Sequence, residues 1–224
     1  MTYKLTIFPF EPINLINGYN SINIENFPLF WKIIRGFKQE TKDDLVLSEN
    51  NRVLDLSKYL IYVGELTSCT TPKQIFYKQM LKKLENTISD DSKHNLYILD
   101  REMRKIITKE IFDFGLPLEI SDDWSLNDII GMMDISYCFH QNNEPLNILG
   151  EFIDLSFYLT NTKILLFTNL NRYLSKEQLQ KIVYESKSKK VTILSVNLSS
   201  DMEDIEADEN GCFIDNDFTM FKNR

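Results

Sequence analysis

Two groups of residues in this 224-residue chain could do chemistry. The first is acidic. The stretch LEISDDWSLNDII places Glu119, Asp122, Asp123 and Asp128 within ten residues, and a hard cation such as calcium wants several flexible carboxylate and carbonyl oxygens. A structural role competes with the metal. Ser125 and Asp128 have the spacing of a capping box, and carboxylates at a helix N-terminus are favoured by its dipole. That accounts for Asp128 and part of Asp122, and leaves Glu119 and Asp123 over. The second group is basic. Arg101, Lys105 and Lys109 are four apart and line one face of a helix with Arg104 beside them, and Lys78 with Lys82 does the same on the preceding helix. Such stripes can replace counterions along a phosphate backbone. They can equally form a solvated face paired with Glu85, Glu102 and Glu110. Arg35 with Lys38, and Lys176, Lys181, Lys187, Lys189 and Lys190, make further basic regions.

Other chemistries lack their residues. GxxxxGK[ST] and GxGxxG are both absent. The first strand-turn-helix, SINIENFPLFWKIIRGF, turns through Glu25-Asn26-Phe27-Pro28, and Pro28 has no N–H to offer a phosphate. His94 and His140 sit in polar stretches with no nucleophile signature beside them, and there is no HExxH, nuclease acid pair or nucleophile elbow. The run DMEDIEADENG lacks the leading Asp and final Glu of an EF-hand and reads as a solvated acidic loop. Cys69, Cys138 and Cys212 are isolated and odd in number, as expected of reduced thiols in a cytoplasmic protein. A binding protein fits better than a catalyst.

The elements that must carry these residues follow from periodicity. Tyr3 to Phe8 alternates as a strand, Asn17-Gly18 signals a turn, and Ser21 to Glu25 predicts a second strand, together a hairpin. The helix after Pro28 puts Phe30, Ile33, Ile34 and Phe37 on one face. Leu45 to Leu47 and Arg52 to Leu54 are short strands, and YLIYV (Tyr59 to Val63) has the two-faced apolarity of a central strand. Thr71-Pro72 starts a helix with Tyr77, Leu81, Leu84 and Ile88 in phase. The polar run DDSKHN breaks it, and Leu96, Leu99, Met103, Ile111 and Phe114 continue the period. Further helices span Trp124 to Met133 and Pro145 to about Thr160. KILLFTNLN and VTILSVN are buried strands around a helix that Ser175 and Gln178 open with a capping box, and CFIDNDFTMF ends the chain as a strand or strand-turn. Strands, then helices, then strands predict an α/β head built from residues 1–70 and 161–224 with a helical domain, 71–160, inserted.

Composition bounds the partners. The formal charge is −8, from 33 acidic and 25 basic residues, which disfavours a uniformly nucleic-acid-coated surface. A polyelectrolyte senses the local face rather than the sum, so basic stripes stay open as sites. No apolar run reaches membrane-span length, and the N-terminus lacks the basic flank and apolar stretch of a signal peptide, so a cytoplasmic protein is expected.

The chain resembles the Csn-two family, the accessory spacer-acquisition proteins of type II-A CRISPR systems. FPFEPINL (Phe8 to Leu15), INIEN with Phe30 and Ile33-Ile34 after it, ILLFTNLNRYLSKEQL (Ile164 to Leu179) and FIDNDF (Phe213 to Phe218) carry the likeness, with PLEISDDWSLNDII in the middle. The resemblance implies a degenerate P-loop-NTPase-like α/β sheet domain with a helical extension, assembling as a homotetrameric ring. It further implies a basic central hole that threads double-stranded DNA ends; the residues that the basic stripes themselves put forward for DNA are Arg35, Lys38, Lys78, Lys82, Arg101, Lys105 and Lys109, and the Arg101-Lys105-Lys109 stripe is not part of the family likeness. Calcium at the acidic region, no nucleotide hydrolysis, and work alongside the CRISPR integrase complex and effector nuclease are implied too. Two other readings remain at this point: a divergent NTPase or metal-dependent nuclease of the same fold class, and an acidic protein-interaction scaffold.

Overall fold

Alternation makes Tyr3–Ile7 (β1) a strand with one buried face, on which Tyr3, Leu5 and Ile7 point inward while Lys4 is exposed. It pairs antiparallel with Ile13–Leu15 (β2) and Leu45–Glu49 (β4), and Arg52–Leu54 (β5) completes a four-stranded sheet in the order β2-β1-β4-β5. The β4–β5 turn runs through Asn50 and Asn51 at φ of 49° and 62°, the left-handed pair that asparagine tolerates in a tight hairpin. The computed structural model describes residues 3–39, 45–67, 72–133, 135, 144–160, 164–200 and 210–222.

The second sheet is mixed and carries the core. Gly18–Ile24 (β3), Leu60–Gly64 (β6), Ile164–Thr168 (β7), Thr192–Leu198 (β8) and Gly211–Ile214 (β9) run parallel, and Met220–Lys222 (β10) closes one edge antiparallel to β9. The order is β10-β9-β3-β8-β7-β6. Successive residues of each strand feed opposite layers. Ile22, Ile24, Ile164, Leu166, Leu194 and Val196 join one core with Ile33, Ile34 and Phe37 of α1 (Phe27–Phe37) and the inner face of the first sheet. Tyr19, Leu165, Phe167 and Ile193 join the other, under α6 (Pro145–Leu159) and α7 (Lys176–Ser188). Phe152 of α6 is fully buried there, edge-on to Phe167 at 5.5 Å and near Phe76 at 6.1 Å between ring centroids.

Local chemistry sets the helix ends. Ser175 accepts from the Gln178 amide and the Gln178 side chain accepts from the Ser175 amide, so the capping box on α7 is complete. Lys189, just past α7, donates to Asp154 of α6 and, at 2.7 Å, to Glu185. Burial works against its charge, but these two carboxylates outweigh it and raise its pKa.

Three expectations are corrected. Asn17-Gly18 does not join a hairpin: β1 pairs with β2, whereas β3 leaves for the other sheet, parallel to β8 and β9. Gly18 serves a different need, its φ of 118° allowing the entry to β3 while its amide donates to Val191 O at 2.9 Å. YLIYV forms β6, an edge strand; apolarity on two faces reports two covering layers and not two hydrogen-bonded neighbours. DDSKHN is no break. Ser89 caps α4 (Asp90–Asp113), and Asp90 and Asp91 occupy its first turn, where the dipole favours them.

The chain divides into two compact units, Met1–Phe76 with Phe139–Arg224, and Tyr77–Cys138. The first holds both sheets, α1, α6 and α7, and a one-turn helix α2 (Leu56–Tyr59). The second holds most of α3 (Pro72–Thr87), α4 and α5 (Leu126–Met132). Among the described residues no helix is long and apolar enough to cross a membrane.

Cys212 on β9 is buried, and burial pushes its thiol up to about 12, with Lys222 opposing weakly. Alkylation needs the thiolate. Iodoacetamide at pH 8 is therefore expected to spare Cys212 in the folded protein and to label it in denaturant, as read by peptide mass spectrometry. Equal labelling in both conditions would contradict the burial.

Candidate nucleic-acid interface

Helix α4 presents the basic stripe. Lys105 and Lys109 are exposed, and among the described residues no carboxylate lies within ion-pair distance of either. Arg101 is engaged, with Nη1 3.2 Å from Asp122 Oδ1, and half of its side chain is exposed. Arg104 is engaged more fully. Its Nε donates to Asp100 Oδ2 at 2.7 Å, Nη2 donates to Asp123 O at 2.9 Å, and Nη1 donates to Ser121 O. The hydrogen bond to Asp100 holds its pKa above the usual arginine value against desolvation, with the nearby charges of Asp100, Asp122 and Asp123 adding. Asp100 is 7% exposed and gains its counter-charge from this one guanidinium among the described residues. Within the α4 stripe, then, some cations are spent on structure and others face solvent.

The acidic stretch is organised by those arginines. Ser121 Oγ donates to Asp123 Oδ2 at 3.0 Å and accepts from the Asp123 amide at 3.1 Å, tightening the turn that Arg104 holds. Ser125 Oγ accepts from the Asp128 amide at 3.3 Å and caps α5, and Asp128 sits in its first turn. Glu119 and Asp128 are exposed, and the Asp122 side chain is 91% exposed despite its arginine. The four carboxylates do not converge: among the described residues no group of three His, Cys, Asp or Glu side chains could hold a metal ion. Trp124 sits inside this stretch, edge-on to Tyr97 of α4 at 5.8 Å.

A replacement of Arg104 tests this clasp. Arg104→Ala leaves Asp100 buried without its counter-charge and frees two carbonyls, so limited proteolysis should cut within residues 119–123 at least several-fold faster. Arg104→Lys should rescue it only in part, because one ammonium cannot hold the fork's three acceptors. Unchanged cleavage in both variants would show the clasp to be idle.

Elsewhere, Lys78 and Lys82 are exposed on α3. Arg35 on α1 and Lys38 at its end are exposed, with Lys38 Nζ 5.3 Å from the centre of the Tyr62 ring. Of the basic residues around α7, Lys176, Lys181, Lys187 and Lys190 are exposed and Lys189 is bound in its ion pairs. His94 is exposed on α4; His140, Cys69, Cys138, Glu206 and Asp208 lie outside the described residues.

The β3–α1 turn shows why the strand-turn-helix holds no phosphate cradle. Asn26 Oδ1 accepts from the Leu29 amide at 2.9 Å and Asn26 O from the Phe30 amide at 2.9 Å, while Pro28 has no donor. Glu25 adds a carboxylate beside this turn, accepting from the Asn216 amide at 3.2 Å. Of the first-turn amides that would wrap an anion, those of Leu29 and Phe30 are used and that of Pro28 is missing.

The profile of the family described as CRISPR-associated protein (Cas_Csn2) matches residues 38–218, well over half of the chain. The chain belongs to this family. It is a non-enzymatic accessory protein of CRISPR spacer acquisition. Among solved structures, that of Stu0660 of Streptococcus thermophilus is similar in fold, at 13% identity and a TM-score of 0.58, covering 100% of this chain and 76% of that one. Two weaker likenesses are to parts of ABC transporters. The ADP conformation of MJ1267, an ATP-binding cassette of an ABC transporter, gives 10% identity and a TM-score of 0.47 over 95% of this chain and 87% of that one. The cbiO1 structure from Clostridium perfringens gives 11%, 0.43, 94% and 83% in the same order. No curated protein matches the sequence.

Sequence reasoning did not anticipate the Arg104 clasp, since the carbonyls of Ser121 and Asp123 lie in a loop well beyond the helix that carries the guanidinium. The i,i+4 spacing of Asp100 and Arg104 was the one local signal for it. The exposed aromatic pair Phe27 and Trp31 on α1 was missed as well.

Proposed function

We propose that this Cas_Csn2 protein binds double-stranded DNA ends as a homotetrameric ring, in concert with the CRISPR integrase complex and effector nuclease. Exposed Lys105 and Lys109 on α4 support the reading most directly, as cations that no described carboxylate neutralises in a chain of net charge −8. One such pair is a weak site. Fourfold symmetry would set it beside three copies and focus the potential in one cavity while the outer surface stays acidic. Lys78, Lys82, Arg35 and Lys38 are the further candidates, and Arg101 contributes less while it faces Asp122. Bonds of this kind go to phosphates and read no sequence. The metal that the resemblance implies at Glu119, Asp122, Asp123 and Asp128 does not fit the arrangement, because Arg101 and Arg104 supply the positive charge there and the carboxylates stay apart. No step of DNA binding is therefore routed through a metal. Binding of one DNA sequence as a linear fragment and as a covalently closed circle tests the proposal: the linear form should bind and the circle should not. Equal binding would refute threading.

A further inference from the structure

A hard cation that ties a loop to a helix does so by drawing a carboxylate and backbone carbonyls from separate segments to one place. The second unit gathers such a set. Asp100 Oδ2 comes from α4, and Ser121 O and Asp123 O come from the loop that precedes α5. All three meet the guanidinium of Arg104: Nε donates to Asp100 at 2.7 Å, Nη2 to Asp123 at 2.9 Å, and Nη1 to Ser121. Asp100 is the buried member, a carboxylate that must have positive charge beside it. A side chain of the same chain stands where these oxygens converge.

A guanidinium can do this work. It is planar and always charged, and its donors are fixed in a fork, so one group holds several oxygens in a single geometry. Arg101 adds a second fixed charge, its Nη1 3.2 Å from Asp122 Oδ1. A divalent ion would therefore enter against two like charges and find the converging oxygens already bound. The oxygens left over do not replace them. Glu119 and Asp128 are exposed, Asp128 lies in the first turn of α5, and Asp123 Oδ2 accepts from Ser121 Oγ. We infer that Arg104 is a built-in cation that takes the place of calcium in tying this loop to α4, so that the acidic stretch of this chain is ordered without a metal. The chain thereby departs from the calcium that its family resemblance implies. A metal can be stripped by a chelator and lost by dilution; a side chain cannot.

The experiment follows cleavage within residues 119–123 of the full-length protein by a protease that needs no metal, in calcium and in a chelator at one ionic strength. The unaltered protein should be cut at the same rate in both, within about twofold. Arg104→Ala should be cut at least several-fold faster in the chelator, since Asp100 loses its counter-charge. Calcium at about millimolar concentration, the range of weak protein sites, should then restore most of the protection, because the vacated oxygens take a cation again. Circular dichroism checks that the variant is folded; if it is not, the unaltered protein decides alone. Slower cleavage of the unaltered protein in calcium would overturn the inference and return a metal to this stretch. So would an Arg104→Ala variant that stays as labile in calcium as in the chelator, because the guanidinium would then not be standing in for a cation. On the function proposed above, DNA affinity should likewise be the same in calcium and in the chelator. A protein that bound no DNA in either would sink that function and leave the cleavage result, and the clasp, in place.

Discussion

Replacing Lys105 and Lys109 with Glu should weaken binding of a linear duplex by at least about a hundredfold at low salt. In a ring of four, each substitution acts four times around the same cavity, so the field changes sign where the phosphates pass. Each phosphate that is no longer neutralised should also lower the slope of log affinity against log salt by roughly 0.9. Fluorescence anisotropy over a salt series reads both quantities. Arg101→Gln is the informative contrast. Its guanidinium already faces Asp122 at 3.2 Å, so its removal should cost far less than either lysine reversal. A double reversal that left affinity and slope untouched would move the DNA site off α4.

The second large effect is on stability. Phe152→Ala removes a fully buried ring that meets Phe167 edge-on at 5.5 Å beneath the six-stranded sheet. Truncations of this kind cost about 3–5 kcal/mol, through the forfeited transfer energy and the cavity left behind. Against typical domain stabilities of roughly 5–15 kcal/mol, that is a large fraction of the total. Urea unfolding followed by circular dichroism should show a lower midpoint with little change in slope. Phe157→Ala, on the same helix but half exposed, should shift the midpoint far less.

What was legible in the chain, and what was not, divides by the range of the interaction. Ile164–Thr168 stands out by the apolar run ILLF, and Thr192–Leu198 by apolar residues on both faces around Ser195 and Asn197, because burial on both faces is written residue by residue. The Ser175–Gln178 capping box is equally local and was read directly. Pairing is not local. Nothing within GYNSINI says that its partners are β8 and β9, more than 170 residues away, rather than the strand just before it. Hydrophobicity of YLIYV could not separate an edge strand from a central one, since both are covered above and below. The acids of DDSKHN looked like loop residues, though a helix N-terminus favours the same composition.

The candidate site shows the same split. Lys105 and Lys109 share a helix face by spacing, and the structure leaves both exposed. Arg101 had the same spacing, and only the structure shows its commitment to Asp122. The acidic stretch was read as a set of oxygens, whereas in the fold the guanidinium of Arg104 takes up the carbonyls of Ser121 and Asp123. Oxygens counted along a chain are not oxygens pointed at one place.

The mass of the full-length protein in solution, by light scattering across a concentration series, tests the central claim most directly. A ring that gathers α4 lysines around one hole requires four chains, and that species should dominate at micromolar concentration. A single chain at every concentration would leave each basic patch isolated on an acidic surface, and the account would fail.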